Sequence, residues 1–219
     1  MLMIFDCDGV LVDSEPIAAR VLSQYMSDLG HAICDADNHD RFAGLRLDAV
    51  RAILENENGE LLPEDFEVEI RRRDFIAFET QLQPIPGVVA AISSIYARRC
   101  VASSGSEKKI HNSLRLTGLS ELFGDNVFSA QDPRVTNGKP APDLFLLAAR
   151  DMGVKANECI VIEDSVPGVR AGKSAGMCVF GFYGGGHCSP THANSLLAAG
   201  ADKVFNDMVQ LPKLTMSKI

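Results

Sequence analysis

Two aspartates, two positions apart, follow the first apolar run of the chain. Asp6 comes directly after Ile4-Phe5, and the chain then turns through Asp8-Gly9. Two carboxylates this close repel each other, so a divalent cation, a shared proton, or both must compensate them. Mg²⁺ suits such a place because it prefers oxygen ligands and bridges carboxylates to phosphate. The alternative is a plain strand-end turn, since Asp and Gly are common turn formers.

Three later segments also place polar groups where an apolar run ends or a helix begins. They are the hydroxyl-bearing segment Ser103-Ser104-Gly105, the loop lysine Lys139, and the acid pair Glu163-Asp164. Each has an ordinary alternative when taken alone. The serines and the acids could cap helices, and a single lysine is most often a solvated surface residue.

Taken together, these groups match the needs of phosphoryl transfer. The carboxyl ends of parallel strands meet at one edge of a sheet, so the segments are expected to converge there. They supply a nucleophilic carboxylate, a second carboxylate, a hydroxyl, an ammonium and two acids able to bind metal. Phosphoryl transfer must hold phosphate in line with a nucleophile, neutralise its oxygens and protonate the leaving group.

The elements that would position these residues alternate between strands and helices. Alternation of this kind predicts an α/β fold with a doubly wound, Rossmann-like parallel sheet. The predicted strands are Leu2–Phe5, Cys100–Ser103, Val127–Ser129, Cys159–Ile162 and Cys178–Phe182. The predicted helices are Val88–Arg98, Lys108–Leu116, Asp143–Met152 and Pro167–Ala175. The tail after Leu211 is polar and is expected to fray.

One stretch, residues 14–83, has helical periodicity and no strand pattern. It carries 15 acidic residues and 7 arginines but no lysine. It ends in the stiff linker of residues 83–87, which is typical of a domain boundary. We predict a core domain of residues 1–13 and 84–219 and an inserted helical cap domain of residues 14–83. The predicted cap helices are Ile17–Leu29, Leu47–Asn56 and Pro63–Phe78.

Four sequence motifs resemble those of the haloacid dehalogenase superfamily. They read DCDGVLVDSE, VASS, NGKPAPDLF and VIEDSVPGV, in that order along the chain. The resemblance covers essentially the whole chain and is to the β-phosphoglucomutase-like and phosphogluconate-phosphatase-like branch, which has a helical cap. It implies a Mg²⁺-dependent phosphatase that works through a covalent aspartyl-phosphate.

The resemblance also implies roles for individual residues. Asp6 would be the nucleophile, and Asp8 the general acid and later the general base. Ser103 and Lys139 would bind phosphate oxygens. The Mg²⁺ ligands would be Asp6, the backbone carbonyl of Asp8, and Asp164, with Glu163 in or just outside that shell.

The substrate is expected to be a small phosphorylated metabolite, either a sugar phosphate or a sugar-acid phosphate such as 6-phosphogluconate. Family mutases carry a histidine near Ile17-Ala18-Ala19, where this chain has none, and this favours hydrolysis over phosphosugar mutase chemistry. Mutase activity remains the alternative. Asp8 is replaced in the dehalogenase branch, so its presence argues against cleavage of a carbon–halogen bond.

Substrate choice is expected to come from the cap. Arg46 and one of Arg72 or Arg73 are predicted to contact the non-reacting end of the substrate, because arginine matches carboxylates and hydroxyls with its forked donors. Ser104 and Gly105 are further candidate substrate contacts. The alternative for the arginines is pairing with nearby acids of the same unit.

Composition limits the partners. A net charge of −8 argues against nucleic acid or an anionic membrane surface, either of which needs a broad basic face. No apolar run approaches the ~18 residues of a membrane span. The six cysteines form no C-x-x-C pair, which favours free thiols and a cytoplasmic protein. We expect a monomer or weak dimer.

Two other patterns are assigned no chemistry. The segment 184–188, Gly-Gly-Gly-His-Cys, lacks the lysine and helix of a phosphate-binding P-loop and is expected to be a flexible loop near the site. His31, His39, His111 and His192 show no metal-ligand spacing.

Two other classes of protein were weighed. A receiver domain has about 120 residues, no insertion and a central acceptor strand, and this chain differs in all three. A silent binding module would lack motif residues, and none is missing here.

Overall fold

The computed structural model describes residues 1–31, 33, 41–42, 47–189 and 191–216. It contains two compact units. The core unit joins Met1–Asp13 to the chain from Gln83 onward, and the helical unit is Ser14–Leu82. No helix within the described ranges is both long and apolar enough to cross a bilayer.

A six-stranded, all-parallel sheet forms the centre of the core unit, with strand order β3-β2-β1-β4-β5-β6. Strand β1 is fully buried and runs between β2 and β4, so that Phe5 pairs with Val101 on one side and Ile162 on the other. Strands covered on both faces read as continuous apolar runs. The predicted α/β doubly wound fold is confirmed. The strands are β1 (Leu2–Phe5), β2 (Arg98–Ser103), β3 (Val127–Ser129), β4 (Cys159–Glu163), β5 (Cys178–Phe182) and β6 (Lys203–Phe205).

Helices connect the strands and flank the sheet. Glycines with positive φ follow several of them, among them Gly118, Gly153 and Gly176, where a residue with a Cβ would be strained. The α-helices are α1 (Glu15–Asp28), α2 (Leu47–Asn58), α3 (Phe66–Gln81), α4 (Val88–Ser94), α5 (Glu107–Leu116), α6 (Ser120–Phe123), α7 (Asp143–Asp151), α8 (Val166–Ser174), α9 (His192–Ala198) and α10 (Leu211–Met216).

The helical unit has its own apolar core. Tyr25 of α1 stacks on Phe66 of α3, with ring centroids 5.5 Å apart. Leu54 of α2 is buried in the same cluster. Arg73 lies over the Tyr25 ring and forms ion pairs with acids of α1 and α3, so this arginine seals the edge of the cluster.

The segments that lead into and out of the helical unit run side by side in the core unit. The Asp13 amide donates to the Gln83 carbonyl at 3.0 Å, and the Ile85 amide donates to the Leu11 carbonyl at 2.9 Å. Val12 and Pro84 form an antiparallel bridge between these bonds. The two crossings are therefore held together by backbone hydrogen bonds.

Three predictions about elements are wrong. The helix predicted over Val88–Arg98 ends at Ser94, because Ile95 is extended and Arg98 already belongs to β2. The prediction of five strands omits β6, Lys203–Phe205. The tail does not fray over residues 211–216, since α10 packs against α4 with Leu211 fully buried.

The burial of Leu211 can be tested by truncation. We expect Leu211→Ala to lower the free energy of unfolding by about 2–5 kcal/mol, the cost of removing a buried leucine side chain. Met216 lies in the same helix and is 70% exposed, so Met216→Ala should change stability by no more than about 0.5 kcal/mol. Urea unfolding of both variants measures the difference, and equal stabilities would show that the tail is not packed.

Candidate active site

A buried lysine links two acids at the carboxyl edge of the sheet. Lys139 follows β3 in the chain, and its ammonium donates to Asp6 Oδ1 and Glu163 Oε1, each at 2.6 Å. A third contact, at 3.3 Å, reaches the carbonyl of Ala102 in β2. Asp6 follows β1 and Glu163 ends β4, so neighbouring strands deliver the two acids side by side.

The charges at this site determine one another's ionisation. Burial lowers the pKa of Lys139, but the charges of Asp6 and Glu163 outweigh it and hold that pKa above its ordinary value. The pKa of Asp6 is raised well above the usual range. Burial is the main cause; Lys139 opposes it, while the carboxylates of Glu163, Asp164 and Asp8 add to it.

Asp164, next to Glu163 and also buried, has its pKa raised by burial first and then by the charge of Glu163. The edge thus holds more carboxylates than the nearby ammonium groups balance. A divalent cation would relieve this excess and keep both aspartates ionised. Asp6 and Asp164 are the residues best suited to hold it, since they supply the oxygen ligands that a hard cation prefers.

Glu163 is fixed by the turn into α8. The amide and the hydroxyl of Ser165 both donate to Glu163 Oε2, at 2.8 and 2.9 Å. The same hydroxyl accepts from the Gly168 amide. Ser165, and not one of the two acids before it, is therefore the N-cap of α8. A Cβ at Gly168 would lie 1.8 Å from Glu163 Oε1, so only glycine leaves room for this carboxylate.

Asp8 has a partner that the motifs did not indicate. Lys109, in the first turn of α5, donates to Asp8 Oδ2 at 2.9 Å. Ser106 caps this helix by accepting from the Lys109 amide, and this contact fixes the position of the Lys109 backbone. The sequence feature that could have indicated this contact is a lysine in the first turn of the helix that follows Ser103.

Three predicted contacts for phosphate or substrate lie in different surroundings. They are Ser103, at the end of β2, and Ser104 and Gly105, in the turn after it. Ser103 is buried, and its hydroxyl accepts from the Gly105 amide at 3.2 Å. Ser129, at the end of β3, donates to the Gly105 carbonyl at 2.6 Å, which holds the turn. Ser104 is exposed. Ser103 therefore lies at the same sheet edge as Asp6, one strand away.

A histidine from the glycine-rich loop contacts Asp164. The Nε2 atom of His187 lies 3.0 Å from Asp164 Oδ2, and the imidazole is 3% exposed. A Cβ at Gly9 would lie 2.0 Å from Asp164 Oδ2 and 2.7 Å from the His187 ring; one at Gly185 would also lie 2.7 Å from that ring. Two glycines therefore make room for the imidazole, which explains part of a pattern to which the sequence analysis assigned no chemistry.

His192 lies close to other side chains of metal-binding type, which its spacing along the chain did not predict. His192 donates from Nε2 to the Asp164 carbonyl, beside His187 and Cys188. The Cys188 amide donates to the Gly185 carbonyl and the His192 amide to the Ser189 carbonyl, so the chain turns at both ends of this group. The Gly186 amide donates to Asp13 at 2.9 Å and ties this loop to the segment after β1. Folding of a loop, and not spacing along the chain, brings these ligand types together.

The predicted arginine contacts have separate outcomes. Arg72 donates twice to Glu69 within α3, at 2.7 Å each, as the alternative of pairing with nearby acids expected. Its role toward substrate stays a prediction. Arg46 lies outside the described residues.

Cys7, between Asp6 and Asp8, is buried. Burial first, and then the charges of Asp8 and Asp6, raise the pKa of this thiol well above its ordinary value. A thiol that stays protonated is a poor nucleophile. Cys7 is therefore a poor candidate nucleophile.

The sequence also matches known proteins. The family model for haloacid dehalogenase-like hydrolases matches residues 1–176. The chain belongs to the haloacid dehalogenase-like hydrolase family. This confirms the resemblance drawn from the four motifs and the prediction of a hydrolytic enzyme of the phosphatase class.

Several members of this family align with nearly the whole chain. The 6-phosphogluconate phosphatase of Escherichia coli K12 is 33% identical over 211 residues, covering 96% of this chain and 92% of its own. A conserved haloacid dehalogenase-like protein of unknown function from Agrobacterium tumefaciens has a TM-score of 0.91 at 36% identity, covering 99% of this chain and 98% of its own. A HAD family hydrolase from Deinococcus radiodurans, solved with bound phosphate and sodium, has a TM-score of 0.83 at 31% identity, covering 99% and 95%.

The space that Gly168 leaves for Glu163 predicts a strong coupling between the two positions. We expect Gly168→Ala to destabilise the protein by about 1–3 kcal/mol, because the new methyl group overlaps the Glu163 carboxylate. In a Glu163→Ala background the same change should instead stabilise by about 0.5–1 kcal/mol, since alanine favours the helix. Chemical unfolding of the four proteins completes a double-mutant cycle. A Gly168→Ala effect that is the same in both backgrounds would contradict this prediction.

Proposed function

We propose that the protein is a Mg²⁺-dependent phosphatase that hydrolyses a small phosphorylated sugar or sugar acid through an aspartyl-phosphate on Asp6. The observation that carries the proposal is the contact of Lys139 with both Asp6 and Glu163 at the carboxyl edge of the sheet. It joins a carboxylate at the end of β1 to an ammonium able to hold phosphate oxygens. A second acid, Asp8, follows two residues after the first.

The proposed first step uses Asp6 as the nucleophile. One Asp6 oxygen bonds to phosphorus while the bond from phosphorus to the ester oxygen breaks. Asp8 gives its proton to the departing alkoxide. Lys139 and the Ser103 hydroxyl hold the phosphoryl oxygens. Asp6, the Asp8 carbonyl and Asp164, with Glu163 in or just outside that shell, would hold Mg²⁺, which would supply positive charge to neutralise those oxygens.

The proposed second step regenerates the enzyme. Asp8, now a carboxylate, takes a proton from water, and the resulting hydroxide attacks phosphorus. The bond between phosphorus and the Asp6 oxygen breaks, releasing inorganic phosphate and free Asp6. The contact from Lys109 to Asp8 Oδ2 holds the acid in place for both proton transfers.

The proposed substrate class follows from the relatives and the residues together. A relative 33% identical over nearly the full chain is named a 6-phosphogluconate phosphatase. The family mutase histidine is missing near Ile17, which supports transfer of phosphate to water. We further propose that the helical unit selects the substrate, with Arg46 and Arg72 as the residues to test first.

Activity on a panel of phosphorylated metabolites tests the proposal. We expect release of inorganic phosphate from sugar and sugar-acid phosphates in the presence of Mg²⁺, and a loss of at least about 10⁴-fold in Asp6→Asn. Asp125 is exposed and away from the site, so Asp125→Asn should keep the wild-type rate. With isotope-labelled phosphate, label that moves to another hydroxyl of the sugar would show a mutase instead.

Mg²⁺ should also stabilise the folded protein. Because the pKa values of Asp6 and Asp164 are raised on folding, their ionisation costs stability, and this cost appears as the pH rises through the raised values. A cation that binds both carboxylates offsets the cost. At 100 times its Kd, Mg²⁺ should add about 2.7 kcal/mol, or several degrees in Tm.

The stabilisation should be larger at neutral pH than in mild acid, where the aspartates take up protons. Asp164→Asn removes one proposed ligand and should abolish most of the shift, whereas Asp125→Asn should keep it. Thermal melts with MgCl₂ or EDTA measure the effect. A shift unchanged in Asp164→Asn would place the ion elsewhere.

A further inference from the structure

Three side chains of metal-binding type lie together at the end of the glycine-rich loop. His187, Cys188 and His192 each present a ligand atom, and these atoms lie within 4.8 Å of one another. The chain spacing is H-C-x₃-H, with the first two residues in the loop and the third at the start of α9. All three residues belong to the part of the chain that the structure describes.

The distances suit a small tetrahedral ion. In a zinc site with bonds of about 2.0–2.3 Å, neighbouring ligand atoms are roughly 3.5 Å apart. Cys188 Sγ lies 3.2 Å from His187 Nε2, close to that separation. The remaining separations are at most 4.8 Å, so the ligand atoms must draw together by roughly 1 Å to bind one ion.

The surroundings hold these ligands in place. His192 donates from one ring nitrogen to the Asp164 carbonyl, the kind of outer contact that orients metal-binding histidines. The His187 ring fits against Gly9 and Gly185, where a Cβ would collide with it. Gly186 is tied to Asp13 by its amide. The loop is therefore preorganised, because its ligands need little ordering when an ion binds.

We propose that His187, Cys188 and His192 form a second metal site, for a borderline or soft divalent ion of the zinc class. The donor set differs in kind from the carboxylates at Asp6 and Asp164. Imidazole and thiolate select Zn²⁺ and Co²⁺ over Mg²⁺, whereas carboxylates favour Mg²⁺. Three protein ligands leave a fourth position, which water or the Asp164 carboxylate, 3.0 Å from His187 Nε2, could fill. This inference does not rest on the proposed phosphatase function.

Co²⁺ is a suitable probe because its absorption reports its ligands. With saturating Mg²⁺ present to fill carboxylate sites, we expect Co²⁺ to give a thiolate-to-cobalt charge-transfer band and the visible bands of a tetrahedral ion. Zn²⁺ should displace Co²⁺ and abolish both at one equivalent per chain. Equilibrium dialysis of Zn²⁺ measures the same stoichiometry directly.

Variants separate this site from others. Cys188→Ser should abolish the charge-transfer band, and His192→Asn should weaken Zn²⁺ binding at least about tenfold. Cys159→Ser, at the start of β4, and His111→Asn are the matched controls and should keep both properties. Asp6→Asn should also keep them, which separates this site from the proposed phosphatase chemistry.

The proposal is overturned if wild-type protein shows no charge-transfer band. It is equally overturned if the band survives in Cys188→Ser or disappears in Cys159→Ser. Melting curves of Cys188→Ser and His192→Asn in EDTA verify that each variant is folded. Should His192→Asn not fold, Cys188→Ser decides the result alone, since it leaves the contact from His192 to Asp164 in place.

Discussion

The buried ion pairs of Lys139 constrain the rest of the core unit. A lysine that is 6% exposed is stable only if its charge is matched at close range, and Asp6 and Glu163 provide the match. For this, β1 and β4 must be neighbours in register, and the loop after β3 must reach across β2. The strand order and the connection after β3 therefore allow the Lys139 ammonium to contact the ends of both β1 and β4.

Glycines provide the space that these side chains need. Gly168 makes room for Glu163, and Gly9 makes room for both Asp164 and His187. Charged groups are in direct contact here. These positions must therefore be glycine if the ion pairs are to form. The loop of residues 184–188 is glycine-rich for a similar reason, since a Cβ at Gly184 would collide with the Asn206 carbonyl.

Much of this arrangement could be predicted from the sequence. Buried parallel strands are unbroken apolar runs, so β1, β3 and β5 were predicted with their observed bounds, and the polar residues after strands were expected at one edge. The contact from Lys109 to Asp8 could not be predicted, because it depends on the rotation of α5. The position of His187 depends on a loop path that has no periodic signal. Strand β6 is recognisable only through its pairing with β5.

The hydrogen bonds that join Leu11–Asp13 to Gln83–Ile85 have a consequence for how such chains diversify. Because residues 14–82 begin and end at one hydrogen-bonded pair of segments, an insertion of another length or topology can begin and end at the same two points. The catalytic edge would keep its registration while the inserted module is exchanged. Recombination at this junction, in nature or by grafting, could then change what is recognised without rebuilding the reaction centre.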